Sequence, residues 1–226
     1  MEGLPHHVIL RGNNRRRIFS QAPSYRRFLL YLADALKRSD CQLHALALMS
    51  NHIHMIVTPS RVEGLSSCVQ RLAQRYAMFR NRTTESSGKL FDQRFHAVAI
   101  TTEEQLAITC AYVDLNPVRA GLVLDPSRYP WSTAGLHCGM SDWCQITPSL
   151  WTPCAWYQAL GRDEDVRRKQ YRRWIEACRE RAEAVDRAER QAIEREAEAA
   201  DRIVREAKRI APEQGNIRRP DGRRAC

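Results

Sequence analysis

The chain contains no stretch approaching the length of a membrane span, no Cys-x-x-Cys among its eight cysteines, and no basic segment leading into an apolar run near Met1. The first absence argues against a helical membrane protein. The second, together with the irregular spacing of the cysteines, argues against a zinc ribbon and a disulfide framework, so reduced thiols are expected. Cys138, Cys144 and Cys154 lie near His137, but at a spacing unlike a metal site, and a structural role is expected for them. With no secretory or transit signature, a cytoplasmic location is expected. A basic amphipathic helix with large apolar residues opposite, which binding to a membrane surface would need, is also missing. What is present points elsewhere. A hydrophobic fraction of 43% over 226 residues suffices for one proper core plus an extension, and a net charge of +10 favours a polyanionic partner.

The periodicity predicts an α+β fold. His7 to Gly12 reads as a strand running into the basic loop Asn13 to Arg17. Pro23 to Arg38 carries a helical stripe of Phe28, Leu29, Leu32 and Leu36. Leu43 to Leu48 and His52 to Val57 read as a hairpin closed by Ser50 and Asn51, and Leu65 to Arg80 as a second amphipathic helix. Phe95 to Thr101 reads as a fourth strand, and Thr102 as the N-cap of a third helix ending by Asn116 and Pro117. The order is βαββαβ followed by a helix, the pattern of a ferredoxin-like antiparallel sheet in which the third strand is central. Residues 1–135 are expected to form this domain and 136–161 an irregular packed arm. A charged helical extension at 162–211 and a basic disordered tail at 212–226 complete the predicted organisation. Most of the excess positive charge falls before residue 162, so a polyanion should meet the core domain first.

The chemistry concentrates in two places. Successive strand side chains alternate faces, so His52 and His54 share one face while Ile53 and Met55 take the other. Two imidazoles in one small volume can donate to a single divalent cation. On the third helix Tyr112 and Asn116 are four residues apart and share a face; the one offers a hydroxyl nucleophile, the other an amide oxygen. The remaining tyrosines, at 25, 31, 76, 129, 157 and 171, suit core or boundary roles.

Five collinear motifs tie these places together: His-Val-Ile-Leu-Arg-Gly-Asn-Asn-Arg at 7–15, Leu43-His-Ala with Leu48-Met-Ser-Asn-His-Ile-His54, Leu90-Phe-Asp-Gln-Arg-Phe95, Tyr112 through Val123, and Tyr129-Pro-Trp-Ser132. In this combination the chain resembles the single-tyrosine HUH transposases, and among them the REP-associated tyrosine transposases. The resemblance implies that His52 and His54 bind Mg²⁺ or Mn²⁺ with Asn116 as a third ligand. It also implies that Tyr112 attacks single-stranded DNA beside a hairpin, leaving a 5′-phosphotyrosine and a free 3′-hydroxyl. Arg11, Arg15, Arg16, Arg17, Lys89 and Arg94 become the expected phosphate contacts, with Asn13 and Asn14 as base readers. The protein is expected to act as a monomer or homodimer. Two departures stand out: Asp92-Gln-Arg94 replaces the more usual Glu-Gly-Arg, and the charged extension does not align with relatives. A competing reading keeps the fold as a DNA-hairpin-binding protein that no longer cuts; the intact His52, His54, Tyr112 and Asn116 favour the enzyme.

Overall fold

Four strands form one antiparallel sheet: β1 (His6–Arg11), β2 (Cys41–Leu48), β3 (His52–Pro59) and β4 (His96–Ala99), in the order β2-β3-β1-β4. The computed structural model describes residues 2–92, 95–185 and 191. Helix α1 (Ala22–Ser39) crosses from β1 to β2, α2 (Gly64–Thr83) from β3 to β4, and α3 (Glu103–Arg119) follows β4. The ferredoxin-like topology expected from the pattern is therefore the one observed, with β3 inside the sheet.

The alternation of the strands divides the core. Val8, Leu10, Ile53, Met55 and Val57 face one side and pack against the apolar stripes of α1 and α2. Ala45, Ala47 and Ile56 face the other side, where they meet Leu106, Cys110 and Val113 of α3. A bulge between Leu43 and Ala45 keeps both segments of β2 in register with β3. Helix α1 starts at Gln21, whose carbonyl accepts a 2.6 Å hydrogen bond from the Ser24 hydroxyl, and stops at Asp40, which turns left-handed at φ 52°. Thr102 caps α3 as predicted, its hydroxyl accepting from the Gln105 N–H at 3.1 Å.

Two expectations need correction. Helix α3 does not end at Asn116 and Pro117: it continues through the proline to Arg119. Proline forfeits only its own N–H, and the Ala120 N–H still reaches the Asn116 carbonyl at 3.0 Å, so one more turn closes. The fourth strand is shorter than Phe95 to Thr101: opposite Ile100 stands Pro5, whose carbonyl accepts from the Ile100 N–H at 2.8 Å but which has no N–H to return the bond, so the paired ladder stops at Ala99.

Residues Met1–Arg179 form one compact unit. Beyond α3 the chain returns along the free edge of β2 as an arm containing α4 (Ala134–Cys138) and α5 (Ala155–Ala159), followed by helical residues 164–179, here α6; Leu136 and Ile146 join the first side of the core, Tyr157 and Tyr171 the second. The second unit, Glu180–Cys226, is described only at 180–185 and 191, all helical; the rest of the predicted extension and the whole tail at 212–226 lie outside the described residues. Among the described residues no helix is long and apolar enough to cross a membrane.

Candidate functional site

The second sheet face carries the histidines. In the β1–β3 register Arg11 lies opposite His52 and Ile9 opposite His54, so His7, Ile9 and Arg11 share a face with both. β4 adds His96, opposite Ile9. The His52 and His54 rings are 4.9 Å apart between centroids and nearly perpendicular. Helix α3 then brings Tyr112 over the pair, its ring 5.5 Å from that of His54 and 5.8 Å from that of His7, edge-on to both.

Burial sets the protonation of these imidazoles. His54, 3% exposed, is pushed down to about 3 by its burial and then by the positive charge that His52, His7 and Arg11 can carry. His52 is lowered by burial and Arg11, and His7 by burial and His96. All three are therefore neutral near pH 7, with a lone pair on each ring. The lone pairs of His52 and His54 are what a cation would use.

The Nδ1 of His52 lies 2.7 Å from the Asn51 side-chain oxygen. The oxygen can only accept, so Nδ1 carries the proton and Nε2 holds the lone pair. The Asn51 amide is itself oriented by donating to the Arg15 carbonyl at 3.3 Å. Asn116 sits in the last turns of α3 and donates its amide N–H to the Tyr112 carbonyl at 2.8 Å, which leaves its side-chain oxygen unused by that bond.

Tyr112 differs from the other tyrosines. Tyr76, Tyr129, Tyr157 and Tyr171 are buried with hydroxyls donating to Ile18, Leu48, His137 and Asp114 respectively, as their expected structural roles require. Tyr112 is 37% exposed, and among the described residues its hydroxyl makes no hydrogen bond. Arg119 places its guanidinium 5.5 Å from the centre of the Tyr112 ring.

The basic loop closes one end of the site. Asn13–Arg15 form a single 3-10 turn in which Asn14 and Arg15 both adopt positive φ, and Arg15, Arg16 and Arg17 are exposed. The loop is pinned to the hairpin that precedes His52: the Gly12 N–H donates to Asn51, and the Ile18 and Phe19 N–H groups donate to Ser50. Gly12 is required here, since a Cβ would lie 2.2 Å from the Arg16 carbonyl oxygen. Asn13 donates from its backbone to Leu90, which brings exposed Lys89 to the same end. A cleft of about 420 Å³ lined by Ile9, Arg11, Phe91, Asp92, Phe95 and His96 opens beside it. Arg94 lies outside the described residues.

The structure thus brings together His52, His54 and Tyr112, with Asn116 one turn along α3 from the tyrosine, and sets Arg11 and the 13–17 loop at the edge. Among the described residues no group of three or more His, Cys, Asp or Glu could hold a metal, so a cation here would need ligands of another type beside the two imidazoles. Three neighbours escaped sequence reasoning. His7 and Asn51 act through register and a turn, and Arg119 lies beyond the proline taken as the end of the helix.

Comparison with known proteins gives one family match, to the model described as "Transposase IS200 like", over residues 1–116. No curated protein matches the chain. Among solved structures, a REP-associated tyrosine transposase bound to a REP hairpin superposes with a TM-score of 0.52 at 18% identity, covering 68% of this chain and 88% of the other. A crystal structure from Deinococcus radiodurans R1, named as a candidate transposase, gives a TM-score of 0.37 at 17% identity over 48% of this chain and 88% of the other. At these identities the structural likeness is one of fold.

Proposed function

The chain belongs to the IS200-like transposase family, and on that footing we propose that it is of the REP-associated type and cleaves and rejoins single-stranded DNA at hairpin sites through a covalent phosphotyrosine at Tyr112. The observation that carries this reading is half-exposed Tyr112, whose hydroxyl is unengaged among the described residues and whose ring lies 5.5 Å from that of His54. The neighbour of like fold is bound to a REP hairpin, which supports hairpin DNA as the partner.

The donor set suits a hard divalent cation. Two imidazoles held neutral by burial and one amide oxygen leave room for water and phosphate oxygen, a mixture that fits Mg²⁺ or Mn²⁺ better than a closed zinc site. His52, His54 and Asn116 would hold it. When bound, the cation supplies positive charge beside the scissile phosphate.

The chain's own residues do the rest. The Tyr112 oxygen attacks phosphorus in line, and the bond from phosphorus to the 3′-oxygen breaks. The phenolic proton passes to solvent, and the departing oxygen takes one up to become a 3′-hydroxyl. A second 3′-hydroxyl reverses the step, and because the phosphodiester energy stays in the tyrosyl ester no nucleotide cofactor is consumed. Arg119, over the Tyr112 ring, places a cation where charge develops. Arg11, Arg15, Arg16, Arg17 and Lys89 supply phosphate contacts along the strand, Asn13 and Asn14 offer amide groups for base edges, and half-buried Phe95 in the adjacent cleft gives an unpaired base a surface to stack on.

The test is direct. Incubation with a single-stranded hairpin substrate and Mn²⁺ should give a protein–DNA adduct that survives SDS and disappears on chelation and in Tyr112→Phe. An adduct that persists in Tyr112→Phe removes the nucleophile assignment.

A further inference from the structure

His7 Nε2 lies 3.1 Å from His54 Nδ1, on a strand that sequence reasoning treated as scaffold. The two rings are within 18° of parallel and their centroids are 5.3 Å apart. That separation is what edge-to-edge rings reach when the two nitrogens lie on the line joining the ring centres. The nitrogens therefore face each other head-on, as in a hydrogen bond. Two ligands of one cation would instead aim their lone pairs at a third point.

One proton sits between them, and where it resides decides what His54 can do. If His7 donates, His54 accepts at Nδ1 and, being neutral, must carry its proton on Nε2; that nitrogen then has no lone pair for a metal. If His54 donates from Nδ1, its Nε2 is free. His52 is already fixed in this second form by Asn51, whose oxygen can only accept. A histidine that binds a metal through one nitrogen usually donates the other N–H to an acceptor that fixes its ring and raises its basicity.

We propose that His7 is the positioning residue of the site: its Nε2 accepts the Nδ1–H of His54, fixing the tautomer in which His54 presents Nε2 to the cation. This rests on the metal reading above and adds to it a third histidine that does not bind the metal. β1 builds the arrangement by register, because pairing Ile9 with His54 places His7 and His54 on one face, diagonal to each other across the two strands. His7 also edges against Tyr112, so the same ring borders both the pair and the tyrosine.

The experiment compares wild type, His7→Gln, His7→Leu and His54→Ala, each first checked for a normal thermal melt. In the metal-free protein near pH 7, long-range ¹H–¹⁵N spectra should show His54 as the Nδ1–H tautomer in wild type. Mn²⁺ affinity, read by titration without DNA, should fall on the order of 10–100-fold in His7→Leu, the range typical when a metal-binding histidine is deprived of the acceptor that orients it. His7→Gln keeps an acceptor oxygen at similar reach and should recover most of that affinity. An Nε2–H tautomer for His54 in wild type, or a His7→Leu affinity within about threefold of wild type where a tenfold fall or more is expected, overturns the proposal. Should wild type and His54→Ala bind Mn²⁺ equally, the metal reading itself is wrong, and His7 loses its role with it.

Discussion

Asp114 accepts a 2.7 Å hydrogen bond at Oδ2 from Nδ1 of His137, and both side chains are sealed from solvent between α3 and the arm. Asp114 also accepts from the Thr133 hydroxyl at 3.1 Å and the Tyr171 hydroxyl at 2.7 Å. Three donors, two from α4 and its N-cap and one from α6, thus converge on a carboxylate two residues beyond Tyr112. On the far side of the ring Nε2 lies 3.1 Å from the His44 carbonyl and 3.1 Å from the Trp151 indole nitrogen, so the imidazole is held at both ends. The arm is in this way keyed to the helix that carries the tyrosine.

Removing Asp114 should therefore unfasten that helix. Asp114→Ala leaves the buried His137 Nδ1–H and two hydroxyls without their acceptor, a change that costs about 3–5 kcal/mol when a buried pair is broken. Chemical denaturation of the variant against wild type measures it. A destabilisation below about 1 kcal/mol, well short of that range, would mean that the network contributes little.

The same pair predicts a pH dependence. Burial acts to lower the His137 pKa, but the Asp114 charge and hydrogen bond outweigh it, and the folded value is raised. A raised folded pKa means stability fully present below the unfolded imidazole value, about 6.5, and lost as pH rises through the folded value. Buried His44 and His54 and half-buried His7 and His52 are shifted the other way, so their effect lies below about 6.5, where the unfolded chain takes up protons first. Thermal midpoints should fall on both sides of an optimum. In His137→Gln the alkaline decline should flatten while the acid decline remains.

Tyr112→Phe should leave stability unchanged within about 0.5 kcal/mol, because its hydroxyl is unengaged among the described residues and the side chain half-exposed. The same substitution at Tyr171 should be costly, since its hydroxyl donates to buried Asp114. Melting curves of the two variants separate a tyrosine kept for chemistry from one kept for structure.

Neutralising the loop should weaken DNA binding without unfolding the protein. Arg15→Ala, Arg16→Ala and Arg17→Ala combined should lower affinity for single strands of unrelated sequence about equally. The salt dependence should flatten by about 0.7 in log–log slope for each phosphate that an arginine no longer neutralises. Binding isotherms over a salt series read this out. An unchanged slope would place the strand elsewhere.

The sheet and its helices were legible because each follows a local period, and so were the faces that His52 shares with His54, two residues along β3, and Tyr112 with Asn116, four along α3; their proposed roles came from the family resemblance. Thr102 announced the start of α3 through its own side chain. The end of that helix was hidden by Pro117, whose missing N–H reads as a stop, and Arg119 was hidden with it. His7 was invisible for a different reason. Its hydrogen bond with His54 depends on strand register across 47 residues of chain, which no single sequence period encodes. Asp114 and His137 meet across an arm of short turns with no periodic pattern, so neither could be matched to the other in advance.

The central claim is that Tyr112 forms the covalent bond to DNA. Wild-type protein reacted with a single-stranded hairpin substrate and Mn²⁺, digested with nuclease and protease, and mapped by mass spectrometry should yield a nucleotide-modified peptide whose modified residue is Tyr112. A modified peptide centred on any other residue, or full cleavage with no modified peptide, would contradict it.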